Sequence, residues 1–152
     1  MDKEQFLGLI DLAIHREIEA FEFYSKVAAS FENRGLTTIF SELAAEEQGH
    51  RNLLESFRAN PEKHFEIKAP EHDFKLAEET ELPPLSIDMK PADAFALAMK
   101  KEQQAAEFYQ DLAKRTIDEQ VKDMCYNLAN MELKHKQKIE NAFVDVAYVE
   151  SF

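Results

Sequence analysis

The stretch Thr38-Ile39-Phe40-Ser41-Glu42-Leu43-Ala44-Ala45-Glu46-Glu47-Gln48-Gly49-His50-Arg51-Asn52-Leu53-Leu54 decides how the rest of the chain is read. Leu36, Phe40, Leu43, Leu54 and Phe57 keep alternating spacings of three and four, the seam that a bundle helix buries. Glu47 and His50 fall in that register and, three apart, are stacked neighbours on a helix. A carboxylate and an imidazole are thereby aimed at a core. Buried charge is costly enough that proteins neutralise it, pair it or use it to coordinate a metal, so the chain must supply a partner.

Length and composition narrow what that partner can be. With 152 residues, one domain with a core that needs neither disulfides nor structural zinc is expected. Cys125 is the single cysteine, which excludes an internal disulfide framework and suits a reducing cytoplasm. No apolar run approaches the ~20 residues of a membrane span, and the start Met1-Asp2-Lys3-Glu4-Gln5 lacks the basic and apolar regions of a signal peptide. A net charge of -12 argues against a nucleic-acid partner. A cytoplasmic protein working without membrane or nucleic acid is the expectation.

Three glycines and long runs of Ala, Glu, Lys, Leu and Gln predict an all-α chain. The first helix, from about Lys3 to Phe31, has the seam Phe6, Ile10, Ala13, Glu17, Ala20, Tyr24, Val27 and Phe31, and Asn33-Arg34-Gly35 supplies a stop and turn. The second runs from about Leu36 to Phe57, ahead of Asn60-Pro61. Residues 58–90 lose the periodicity and hold Pro61, Pro70, Pro83 and Pro84, which suits a long crossover in a four-helix bundle. A short helix or strand within Phe65 to Leu76 is left open there, and His64 and His72 read as surface residues. Pro91 opens the third helix, to about Arg115, with seam Phe95, Ala98, Glu102, Ala105, Tyr109 and Leu112. After a break at Thr116-Ile117-Asp118, the fourth presents Val121, Cys125, Leu128, Glu132, His135, Ile139, Ala142 and Val146, ending near 148.

The halves repeat. At one constant offset of 85 residues, Glu17 falls on Glu102, Ala20 on Ala105, Phe23 on Phe108, Tyr24 on Tyr109, Ala28 on Ala113, Leu43 on Leu128, Ala44 on Ala129, Glu47 on Glu132 and His50 on His135. Helix pairs 3–57 and 91–148 are thus two copies of one unit. Their inward polar set is Glu17, Glu47, His50, Glu102, Glu132 and His135. Four carboxylates gathered without cations repel one another, whereas two divalent cations cancel them and neutral imidazoles complete the shell. One Glu from each of two helices and a Glu-x-x-His from each of the others is the ligand inventory of the di-iron and di-manganese carboxylate bundles. Oxygen donors with two nitrogens and no thiolate favour iron or manganese, or a mixed pair, over structural zinc. Glu47 and Glu132 are the expected bridging ligands, with Glu17 and Glu102 terminal or chelating.

Tyr24 and Tyr109 lie two turns beyond Glu17 and Glu102 on the same face. Each can pack the core, hydrogen-bond a ligand carboxylate, or do both. Phe23 and Phe108 read as packing; His15, Glu22, Glu46 and Glu107 fall off the seam and read as solvated; Cys125 reads as a small buried apolar residue.

With its paired ExxAxxFY and ExxH motifs, the chain resembles the rubrerythrin branch of the ferritin-like superfamily across both helix pairs. The resemblance implies a ferritin-like four-helix bundle whose two iron ions are bound by Glu17, Glu47, His50, Glu102, Glu132 and His135. It also implies reduction of peroxide or dioxygen with electrons from an external donor such as a rubredoxin-like protein, in a homodimer, with ferritin-like iron sequestration without turnover as the alternative. Two departures stand out. The single cysteine leaves no rubredoxin-like domain, and Met99 and Ala105 occupy the positions one turn either side of Glu102 where rubrerythrins carry an additional glutamate.

Overall fold

Four helices form among the described residues: α1 (Lys3–Ser30), α2 (Arg34–Ala59), α3 (Pro91–Arg115) and α4 (Glu119–Glu150). The computed structural model describes residues 3–62, 70 and 90–150, with backbone alone from 146 onward. Most of the expected crossover, with His64, His72 and the segment Phe65 to Leu76, lies outside those residues, as does the side chain of Val146. No described helix is long and apolar enough to cross a membrane.

The chain divides into two compact units, Met1–Phe65 and Glu66–Phe152, each holding one helix pair. In the first, Thr37 contacts Ala28, His50 contacts Glu17 and Arg58 contacts Asp11. Rising numbers on α2 meet falling numbers on α1, so the pair is antiparallel. The same holds in the second unit, where His135 meets Glu102 and Phe143 meets Phe95.

The turn chemistry repeats along with the seam. Asn33, in extended backbone, accepts hydrogen bonds on its side-chain oxygen from the Gly35 and Leu36 amides at 2.9 and 3.2 Å. Asp118 does the same for the Gln120 and Val121 amides at 3.0 and 3.1 Å. Each side chain satisfies donors that the first helical turn leaves open. Asn33 and Asp118 are themselves 85 residues apart. This corrects the expected stop at Asn33-Arg34-Gly35: α1 ends at Ser30, and Arg34 and Gly35 already belong to α2 because Asn33 caps that helix. Thr37 then pins the turn, donating to the carbonyls of Ala28 and Phe31 at 3.2 and 3.1 Å. Pro91 opens α3 behind Lys90 at the cap position.

The seams are buried largely as expected. Phe6, Ile10, Ala13, Glu17, Tyr24 and Val27 line α1, and Phe40, Leu43, Glu47, Leu54 and Phe57 line α2. Phe40 stacks between Tyr24 and Phe31, with ring centroids 6.4 and 5.8 Å away. On α3 the face drifts: Ala106 and Ala113 are buried while Ala105 and Leu112 are half-buried. A straight helix turns at 3.6 residues and slides off a 3.5 repeat. Ala94 to Met99 is buried without interruption, so the start of α3 is covered on every side.

Candidate metal centre

Each unit assembles its own acid and imidazole set at mid-helix. In the first, Glu17 from α1 and Glu47 from α2 are each 1% exposed. His50, one turn beyond Glu47, places Nδ1 3.5 Å from Glu17 Oε2 and 3.9 Å from Glu47 Oε2, with 23% of its side chain exposed. In the second, Glu102 from α3 lies 3.0 Å, Oε1 to Nδ1, from His135 of α4, whose side chain is 1% exposed. Glu132, also buried, stands one turn before His135. The antiparallel packing within each pair brings the helix that carries one glutamate against the helix that carries Glu-x-x-His.

The first set gathers two buried carboxylates and an imidazole whose ordinary charges compete. Burial, and then the neighbouring Glu47 carboxylate, push the Glu17 carboxyl up to about 8, with His50 opposing. Burial pulls the His50 imidazole down, but Glu17 and Glu47 more than offset it and raise it to about 9. Without metal, these acids share protons with the imidazole because they cannot all ionise in a dry environment. Both Glu17 oxygens are buried and have no hydrogen-bond partner of good geometry. A buried carboxylate in that condition is anomalous as a structural group and fitting as a ligand. The residues present therefore suit a divalent metal of the iron and manganese class, through hard oxygen donors completed by imidazole.

The surrounding residues sort themselves. Tyr24 and Tyr109 are both buried, each edge-on to the preceding phenylalanine, with centroids at 5.2 Å for Phe23 and 5.5 Å for Phe108. His15 is exposed and contacts Glu19. Glu22 and Glu107 are exposed, as expected, while Glu46 is half-buried. Cys125 is buried, and burial raises its thiol to about 11.

One feature of this region escapes the sequence pattern. Lys136 and Glu140 are buried together, their charged atoms 3.7 Å apart. Their i,i+4 spacing is that of an ordinary surface pair, which is what their repeat counterparts Arg51 and Glu55 form at 3.1 Å on the exposed side of α2.

Comparison with known proteins bears on the fold and the family. A hypothetical protein from Pyrococcus furiosus of solved structure is 28% identical, with a TM-score of 0.56 over 94% of this chain and 89% of that one. No curated protein matches the chain. The likeness supports an all-α, ferritin-like four-helix fold. The rubrerythrin family profile matches residues 9–143, which takes in α1 from Leu9 through most of α4 and every one of the six candidate ligands, and the chain belongs to the rubrerythrin family.

Proposed function

We propose that this protein is a di-iron oxidoreductase that reduces peroxide or dioxygen and is returned to its ferrous state by an external electron donor. Glu17, Glu47 and His50 from one helix pair and Glu102, Glu132 and His135 from the other would hold the two irons. The observation that carries the reading is the buried Glu17 carboxylate, with no hydrogen-bond partner of good geometry, beside Glu47 and His50, in a set that the chain repeats at an offset of 85 residues. When bound, ferrous iron supplies the electrons that an O–O bond requires, and acts as a Lewis acid toward the developing negative charge. The protein's part is to fix the carboxylates, which Tyr24 and Tyr109 would help to hold by a hydrogen bond, and to give up the protons that Glu17 and His50 hold without metal.

The test is to load the protein with two ferrous ions per chain anaerobically and add hydrogen peroxide. Oxidation of bound iron should be complete within the mixing experiment and should consume one peroxide per two irons. Peroxide loss no faster than with free iron, or equally fast in a Glu47→Ala variant, would count against the reading.

Sequestration of iron without turnover is the second reading, favoured by one specific observation. Met99 and Ala105, rather than a carboxylate, flank Glu102 at one turn in either direction, and Met99 is fully buried. Titrating ferrous iron in air separates the two, because storage demands far more than two irons per chain in solution. A rubredoxin-like donor, a homodimeric assembly and a cytoplasmic setting complete the proposal.

A further inference from the structure

Burial of a lysine in a dry interior is rare, because an ammonium loses several kcal/mol of hydration unless it is well paired. Lys136 and Glu140 have side chains 1% and 0% exposed with 3.7 Å between their charged atoms. The repeat carries the same pair in its first half, but there Arg51 and Glu55 are 37% and 47% exposed. Two copies of one motif therefore keep the same charges in different dielectrics. In water such a pair is screened and weak; in the interior its field is not.

The position of the pair gives that field a direction. Glu132, Lys136 and Glu140 are spaced by four, so they climb one face of α4 a turn at a time, and all three are buried. The residue bearing the cation stands one turn from Glu132, and its anionic partner stands two turns away. Lys136 also directly follows His135. The residue that carries the positive charge is thus one turn nearer Glu132 than the residue that carries the negative one, and the first set has no buried equivalent at Arg51.

We infer that Lys136, held by Glu140, is a positioning residue for the electrostatics of the centre: it makes the two irons inequivalent and favours the ferrous state at the Glu102, Glu132 and His135 set. The inference rests on the di-iron reading above. A fixed positive charge close to a one-electron couple stabilises the member of lower charge, so the iron on that side is the harder of the two to oxidise. An iron held by Glu17, Glu47 and His50, whose imidazole is partly open to solvent, would be the easier of the two to oxidise.

The test compares redox titrations of the iron-loaded protein with those of Lys136→Met/Glu140→Met, which removes both charges together, and of Arg51→Met/Glu55→Met, the exposed counterpart. At the wild-type midpoint, the interior variant should show an oxidised-to-reduced ratio about tenfold higher, a lowering of ~59 mV for a one-electron step. The exposed variant should stay within twofold of wild type. Lys136→Arg should keep the wild-type potential, since it retains the charge. Replacing a buried ion pair by apolar residues is often neutral for stability, and Lys136→Gln/Glu140→Gln repeats the measurement if the methionine variant loses its helical circular dichroism. Two irons per chain with an unchanged potential in the interior variant, or an equal shift in the exposed one, overturns the inference alone. A wild-type protein that holds no iron overturns the di-iron reading beneath it.

Discussion

His135 Nδ1 lies 3.0 Å from Glu102 Oε1 with both side chains sealed from solvent, whereas the matching contact, His50 Nδ1 to Glu17 Oε2, spans 3.5 Å and leaves the imidazole partly exposed. Within each helix pair an acid on one helix meets an imidazole on the other at the same step of the repeat. The second contact is the tighter and drier. It ties α3 to α4 by groups that a metal would need deprotonated.

Removing that imidazole should cost metal. His135→Ala is expected to hold one iron per chain or fewer where the wild type holds two, measured by elemental analysis after loading and desalting. A variant that keeps two irons would remove His135 from the ligand set.

The pH dependence of the metal-free protein follows from the first set. Glu17 is raised from 4.5 to about 8 and His50 from 6.5 to about 9. The folded chain therefore keeps protons that the unfolded chain has released. For Glu17 the stabilising contribution is complete below 4.5 and is lost as pH rises through about 8; for His50 it is complete below 6.5 and is lost through about 9. The unfolding midpoint of metal-free protein should fall between pH 6.5 and 9, and the fall should be shallower in Glu17→Gln. Metal uptake at pH 7 should release protons, visible by calorimetry as a heat that depends on the ionisation enthalpy of the buffer.

Asn33 caps α2 through two amides. Asn33→Ala should lower stability by about 0.5–2 kcal/mol, and Asn33→Asp should retain it, as read by denaturant unfolding. Since Asp118 plays the same part for α4, Asp118→Ala should lose a similar amount.

Cys125 should be silent in the folded state. It is buried, and burial raises its thiol to about 11. At pH 7.5 a thiol reagent should label it only after denaturant is added, because the thiolate is the reactive form. Prompt labelling of the native protein would contradict the placement of Cys125 in the α4 seam.

The helix boundaries and the inward acids were legible because they rest on periodicity and on one repeat. Glu17, Glu47, Glu102, Glu132 and His135 are buried where the spacing places them. Three features were not legible. Asn33 looked like a helix stop, since a capping residue and a turn residue share the same chemistry until the backbone shows which amides they serve. The burial of Lys136 and Glu140 leaves no trace in the sequence, since an i,i+4 ion pair has one sequence pattern whether water surrounds it or not. The uninterrupted burial of Ala94 to Met99 is of the same kind: periodicity identifies one covered face and is blind to cover on the others.

The connectors bear on how the chain reaches this structure. Three residues, 31–33, join α1 to α2, and three more, 116–118, join α3 to α4, so the contacts within a pair join consecutive helices, over separations of 6 residues at the turn, Thr37 to Phe31, and 47 at the open end, Arg58 to Asp11. Chains rich in such local contacts fold in microseconds to milliseconds. Ribosomes add roughly 5–20 residues per second, so the leading hairpin has time to nucleate while its twin is still being translated. The first acid and imidazole cluster closes within that leading hairpin, and the protons that Glu17 and His50 hold above their ordinary ranges let its charged groups lie side by side in a dry interior.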